Sequence, residues 1–103
     1  MSVIALLSVA PVIEDSMASE VAAAVEALEE FDVSYETNPM GTVIEADDVD
    51  TLLDAVAAAH NAVDADRVST FLKIDDKRDR DTRAHEKVEA VERELGREPH
   101  GDR

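Results

Sequence analysis

Residues 33–46, VSYETNPMGTVIEA, decide the fold. They read as two short strands around a turn, because Asn38, Pro39 and Gly41 occupy the first, second and fourth positions of a type I turn. Asn bonds back to the backbone there, Pro presets φ, and Gly lets the chain leave. Working outward, residues 21–28 place Val21, Ala24, Val25 and Leu28 at i, i+3, i+4 and i+7, the spacing of an amphipathic helix. Ser16 or Asp15 is expected to cap it, and its end falls near Phe31. On the other side, Asp47 or Asp48 opens a second helix with Val49, Leu52, Leu53, Val56, His60 and Val63 on one face.

Two further strands, one before and one after these helices in sequence, complete the pattern. Residues 3–12, VIALLSVAPV, form a nearly unbroken apolar run of β-branched and aliphatic residues, and residues 66–74, DRVSTFLKI, place Val68, Thr70, Leu72 and Ile74 on one side. The element order is βαββαβ. Its simplest closed solution is an α+β, ferredoxin-like sandwich: a four-stranded antiparallel sheet with two helices on one face. The polar segment DDKRDRDT, residues 75–82, reads as a linker into an additional C-terminal helix, where Ala84, Val88, Val91 and Leu95 make a narrow stripe before Gly96 stops it. One domain spans residues 1–103, with an ordered core over about 2–96 and a tail, 97–103, that has nothing to bury.

The first strand is apolar on both parities, Val3, Ala5, Leu7 and Val9 against Ile4, Leu6 and Ala10. Two helices cover one sheet face only. Whichever set points away from them is an association site, so the expectation is a homo-oligomer, a dimer or a tetramer.

Composition narrows the function. Acidic residues number 25 against 10 basic ones, for a net charge of −15. Such a surface repels polyphosphate backbones and anionic membranes, so neither nucleic acid nor membrane is expected as a partner. No stretch approaches the roughly 20 apolar residues of a membrane span, and the first residues lack the basic region and cleavage site of a signal peptide. A cytoplasmic location is expected. The chain has no cysteine, which removes disulfides, thiolate metal sites and thiol nucleophiles together. Lysine occurs only as Lys73, Lys77 and Lys87, and acid is spread over every helix, a pattern that matches haloarchaeal-type proteins working in molar salt.

No nucleophile elbow, P-loop, GxGxxG or HExxH occurs, and no serine is paired with a recognisable base, so no catalytic activity and no cofactor are expected. His60, on the stripe of the second helix, reads as a satisfied boundary residue, and His85 and His100 as solvent-facing. The aspartates 75, 76, 79 and 81 lack the Gly and distal Glu that shape a calcium loop. The informative polar residues are those of the hairpin, Tyr35, Asn38, Thr42 and Glu45, together with Ser8, which interrupts the apolar first strand.

At Asn38-Pro39-Met40-Gly41-Thr42 with Ile44-Glu45, and again at Lys73-Ile74-Asp75-Asp76, the chain resembles the thiamine-binding family of short ferredoxin-like proteins within the YkoF-like superfamily. The resemblance spans residues 3–95, with Ala46 where the family usually has Gly and Lys77 or Arg78 at its usual arginine. It implies dimers paired into tetramers that bind thiamine or its hydroxymethylpyrimidine moiety without catalysis. An aminopyrimidine needs a donor–acceptor pair, which Asn38 or Ser8 offers, with Tyr35 for a ring contact; the cationic thiazolium favours a carboxylate, Glu45 or Asp75. The alternatives are a structural or regulatory oligomer acting through a protein partner, and an enzyme of thiamine metabolism.

The charge makes a direct prediction. Screening the carboxylates should raise the melting temperature by roughly 5–10 °C between dilute buffer and molar salt. An unchanged melting temperature in calorimetry would reject the salt-adapted surface.

Overall fold

Strand β1 (Val3–Pro11) runs through the middle of the sheet, and everything else is arranged around it. The structure, a computed structural model, describes residues 2–102. After β1 come α1 (Ala18–Ala27), a 3₁₀ turn (Leu28–Glu30), β2 (Val33–Asn38), β3 (Gly41–Ala46), α2 (Val49–Asn61), β4 (Val68–Asp76) and α3 (Ala84–Leu95). The sheet order is β2-β3-β1-β4 with all neighbours antiparallel, which is the ferredoxin-like arrangement.

Period-two alternation sorts β1 onto two faces. Val3, Ala5, Leu7 and Val9 are buried against α1 and α2, whereas Ile4, Leu6, Ser8 and Ala10 point the other way and are half-buried. In β3 the helix-facing set is Thr42, Ile44 and Ala46. Leu28, Ile44 and Leu52 have no accessible surface, and each such burial stabilises the fold by about 1.5–3 kcal/mol. Small residues decide how closely α2 approaches. Its buried face is Leu52, Ala55, Val56 and Ala59, with Val63 buried just past its end, and the two alanines replace Leu53, which was expected inside and is instead exposed.

Local signals act as expected in α2 and differ in α1. The Asp48 carboxylate accepts the Thr51 amide at 2.7 Å, a capping bond that holds its pKa below the ordinary value. At α1 neither Asp15 nor Ser16 is the cap: Met17 takes that position, and the Ser16 hydroxyl lies a loose 3.4 Å from the Ala18 amide. His60 Nδ1 meets Thr70 Oγ1 at 2.5 Å and ties α2 to β4, which accounts for a half-buried histidine on that face. The linker is shorter than the polar run suggests. Asp75 and Asp76 continue β4, paired with Ile4 and Val3, because β1 extends far enough to offer them backbone partners. Beyond Gly96, whose φ of 74° closes α3, no further helix or strand forms among the described residues, and Arg103 of the expected tail lies outside them.

Helix α3 is attached by charge rather than by packing. Its stripe residues Val88, Val91 and Leu95 are each about half exposed. Its first turn, however, is pinned to the sheet. The Glu45 carboxylate accepts Arg83 Nε at 3.0 Å, Arg83 Nη2 at 3.2 Å and the Ala84 amide at 2.8 Å, and Lys87 pairs with Asp75. A 12-residue helix is marginal alone in water, so these anchors decide its order. Glu45→Ala should speed amide exchange over residues 88–95 roughly fivefold, the equivalent of about 1 kcal/mol for a partly exposed charged contact. Acid should act in the same direction through Asp75, whose carboxyl Lys87 holds below its ordinary 3.8. Its contribution is complete above that value and fades as pH falls below it. Unchanged exchange in the variant and in acid would show that α3 is held by something else.

Candidate functional site

The sheet face turned away from α1 and α2 collects most of the polar candidates, and its strand register arranges them in rows. One row reads Ser34, Glu45, Ile4, Asp75; the next reads Glu36, Val43, Leu6, Lys73. Beyond these, Asn38 pairs with Gly41 and Ser8 with Phe71. Four of the expected residues, Ser8, Asn38, Glu45 and Asp75, therefore share one face, spread from the hairpin end to the α3 end.

The remaining two lie on the opposite face. Tyr35 follows the helix-facing parity of β2, and its hydroxyl donates to Glu29 at 2.6 Å, a bond that raises its pKa. Thr42 is buried among the core residues, where its hydroxyl meets that of Thr37 at 3.0 Å. The structure brings neither of them next to Ser8, Asn38, Glu45 or Asp75. Both instead brace the hairpin that carries Asn38.

Hydrogen bonding sets what each open-face residue has left to offer. Asn38 Oδ1 accepts the Met40 amide at 2.9 Å, closing the tight turn, so the side-chain NH2 is the half that remains for another partner. Gly41 fits here because a side chain would not: a Cβ would lie 2.8 Å from the Leu7 carbonyl oxygen, at a φ of 158°. Ser8 is half-buried beside Phe71, a residue that is 58% exposed. Glu45 is largely covered by its three bonds to the start of α3, and the Arg83 guanidinium is held firmly protonated by it. Asp75, about half exposed beside Lys87, is the more accessible carboxylate.

Sequence reasoning missed Phe71 and Arg83. The signal for Phe71 was present: it has the parity opposite to Val68, Thr70, Leu72 and Ile74, so a large aromatic on that side had to face away from the helices. Arg83 gave no such signal, since its partner Glu45 is distant in sequence.

Two concave features border these residues, and neither has the roughly 300 Å³ of a typical small-molecule site. One is an interior cavity of about 20 Å³ lined by Leu7, Val9, Val21, Ala24, Leu28 and Thr42. The other is a shallow groove of about 190 Å³ where Asp32, Ser34, Glu45 and Asp47 surround Arg83. A ligand of vitamin size needs more wall than this chain supplies there. Among the described residues no group of His, Asp or Glu is placed to hold a metal ion, and no helix is long and apolar enough to cross a membrane.

Comparison with known proteins matches the fold. The chain is 53% identical over 83 residues to a UPF0045 protein of Methanothermobacter thermautotrophicus, covering 78% of this chain and 84% of that protein. A crystal structure of a protein from Methanocaldococcus jannaschii superposes with a TM-score of 0.81 at 38% identity, over 87% of this chain and 95% of that one. A Thermotoga maritima protein described as a candidate for thiamine biosynthesis or salvage superposes with a TM-score of 0.76 at 26% identity, over 88% and 99%. The sequence model of the thiamine-binding protein family matches residues 5–92, and the chain belongs to that family.

Proposed function

We propose that this protein binds thiamine or its hydroxymethylpyrimidine moiety without catalysing a reaction, as a homo-oligomer in the cytoplasm of a salt-adapted cell. Membership of the thiamine-binding protein family carries the reading, and the open sheet face supplies the chemistry it needs. The flat aminopyrimidine stacks on the exposed Phe71 ring. The Ser8 hydroxyl and the free NH2 of Asn38 meet its polar edge. The thiazolium extends toward Asp75, with Glu45 behind it, both already carrying a basic group of α3 that a bound cation shares or displaces. Tyr35 and Thr42 serve this site indirectly, by fixing the hairpin.

The two concave features at the expected residues are small, and the larger groove of about 390 Å³ lies on α3 among Glu89, Glu92, Arg93, Gly96 and Arg97, away from them, which supports an oligomer, dimer or tetramer, in which a second copy provides the missing wall. The biosynthesis-or-salvage description of the Thermotoga maritima relative supports a second reading, turnover of a pyrimidine substrate, which product analysis after incubation distinguishes from binding alone.

Calorimetric titration tests the binding reading. Wild type should bind thiamine or the pyrimidine at or below millimolar concentration. Asn38→Asp retains the oxygen that closes the turn and loses only the donor, so it should bind about tenfold more weakly with an unchanged melting curve. Binding equal to wild type removes Asn38 from the site. No binding by wild type at millimolar ligand overturns the proposed function.

A further inference from the structure

All 10 basic residues of the chain lie from Arg67 onward, and its three lysines, Lys73, Lys77 and Lys87, converge on one carboxylate. Lys87, in the first turn of α3, is bonded to Asp75. Lys73 stands two residues before Asp75 on the same face of β4, about 7 Å away along the strand, and Lys77 lies just past the strand's end. The Asp75 carboxyl is held below its ordinary value first by the Lys87 bond and then by the charges of Lys73 and Lys77. Both of these lysines are exposed, and neither has a hydrogen bond or ion pair among the described residues. Glu45, across the same row, is already taken up by Arg83. Three ammonium groups therefore surround a single acid at the rim of the open face, in a chain whose net charge is −15.

A carboxylate flanked by unpaired lysines suits a ligand that carries both signs of charge at close range. In the binding mode proposed above, the thiazolium extends toward Asp75. The hydroxyethyl arm of that ring leads away from it and, in the phosphorylated forms of the vitamin, ends in a phosphate close to the cation. Lysine fits such a group, because its ammonium is a compact point charge on a flexible stem and follows a phosphate without a fixed geometry. We infer that Lys73 and Lys77 take the phosphate of a phosphorylated ligand, a phosphate ester of thiamine, whose thiazolium lies at Asp75. This rests on the vitamin-binding reading and adds the phosphorylation state of the ligand to it. The field of the whole molecule pulls the other way, since 15 excess negative charges favour cationic thiamine over its anionic ester. Salt at physiological strength screens that field beyond about 8 Å and leaves the lysines in contact to decide.

Calorimetric titration at about 0.2 M salt tests it, with thiamine, thiamine monophosphate and inorganic phosphate as separate ligands and a melting curve in the same buffer as the control for folding. Wild type should bind the ester about tenfold more tightly than thiamine, and Lys73→Gln and Lys77→Gln should each remove about threefold of that, the scale of an exposed charge contact. The double variant K73Q/K77Q should bind the two compounds alike, with no loss of affinity for thiamine itself. Inorganic phosphate should bind far more weakly than the ester. Thiamine binding as tight as the ester or tighter overturns the phosphate site and leaves the vitamin reading standing, and an ester preference that survives in the double variant overturns the lysine assignment. Inorganic phosphate as tight as the ester makes free phosphate the occupant and overturns the ester. No binding of thiamine or its ester overturns both readings.

Discussion

The structure depends on one mismatch: its central strand β1 is apolar on both faces, and the two helices packed on the sheet cover one of them. The covered face behaves as an ordinary core, with Val3, Leu28, Ile44 and Leu52 removed from water. The other face keeps Ile4, Leu6, Ala10 and Val43 only half-buried, with Phe71 beside them. A chain this small gains little by leaving that surface wet, and its exposure is the physical reason to look there for both ligand and partner.

Charge is the second theme, and it operates at two ranges. Over the whole surface the excess of 15 negative charges opposes compaction and association, an effect that salt removes. At contact range the few basic residues are used locally. Arg83 and Lys87 fasten α3 to the sheet through Glu45 and Asp75, so the carboxylates suited to a cationic ligand are the same ones that anchor the last helix. On the proposed binding mode, a cationic ligand would compete with Arg83 and Lys87 for these two groups and so act on the position of α3.

Much of the fold was legible because its signals are local. Asn38, Pro39 and Gly41 specify the hairpin, Asp48 caps α2, Gly96 ends α3, and the alternation along β1 separates Val3, Ala5 and Leu7 from Ile4 and Leu6. Parity also separates Tyr35 from Asn38 and Thr42 from Glu45, although gathering them into one hairpin site passed over that distinction. What failed was non-local. Asp75 and Asp76 read as linker because nothing in their own segment shows that β1 extends to pair with them. Leu53 read as core because hydrophobicity outranked alanine, whereas the close approach of α2 to the sheet favours Ala55 and Ala59. Arg83 joins Glu45 across 38 positions, beyond the reach of any spacing rule.

The central claim is that the open face is a working surface covered by a second copy rather than a wet one, and the absence of cysteine allows a direct measurement. Ser8→Cys puts a single thiol at the middle of that face, and Asp50→Cys puts one at an exposed position on α2 as a reference. The account predicts that alkylation of Cys at position 8 is slow in concentrated protein and accelerates on dilution, while the reference rate stays constant. Equal and concentration-independent rates at the two positions would contradict it.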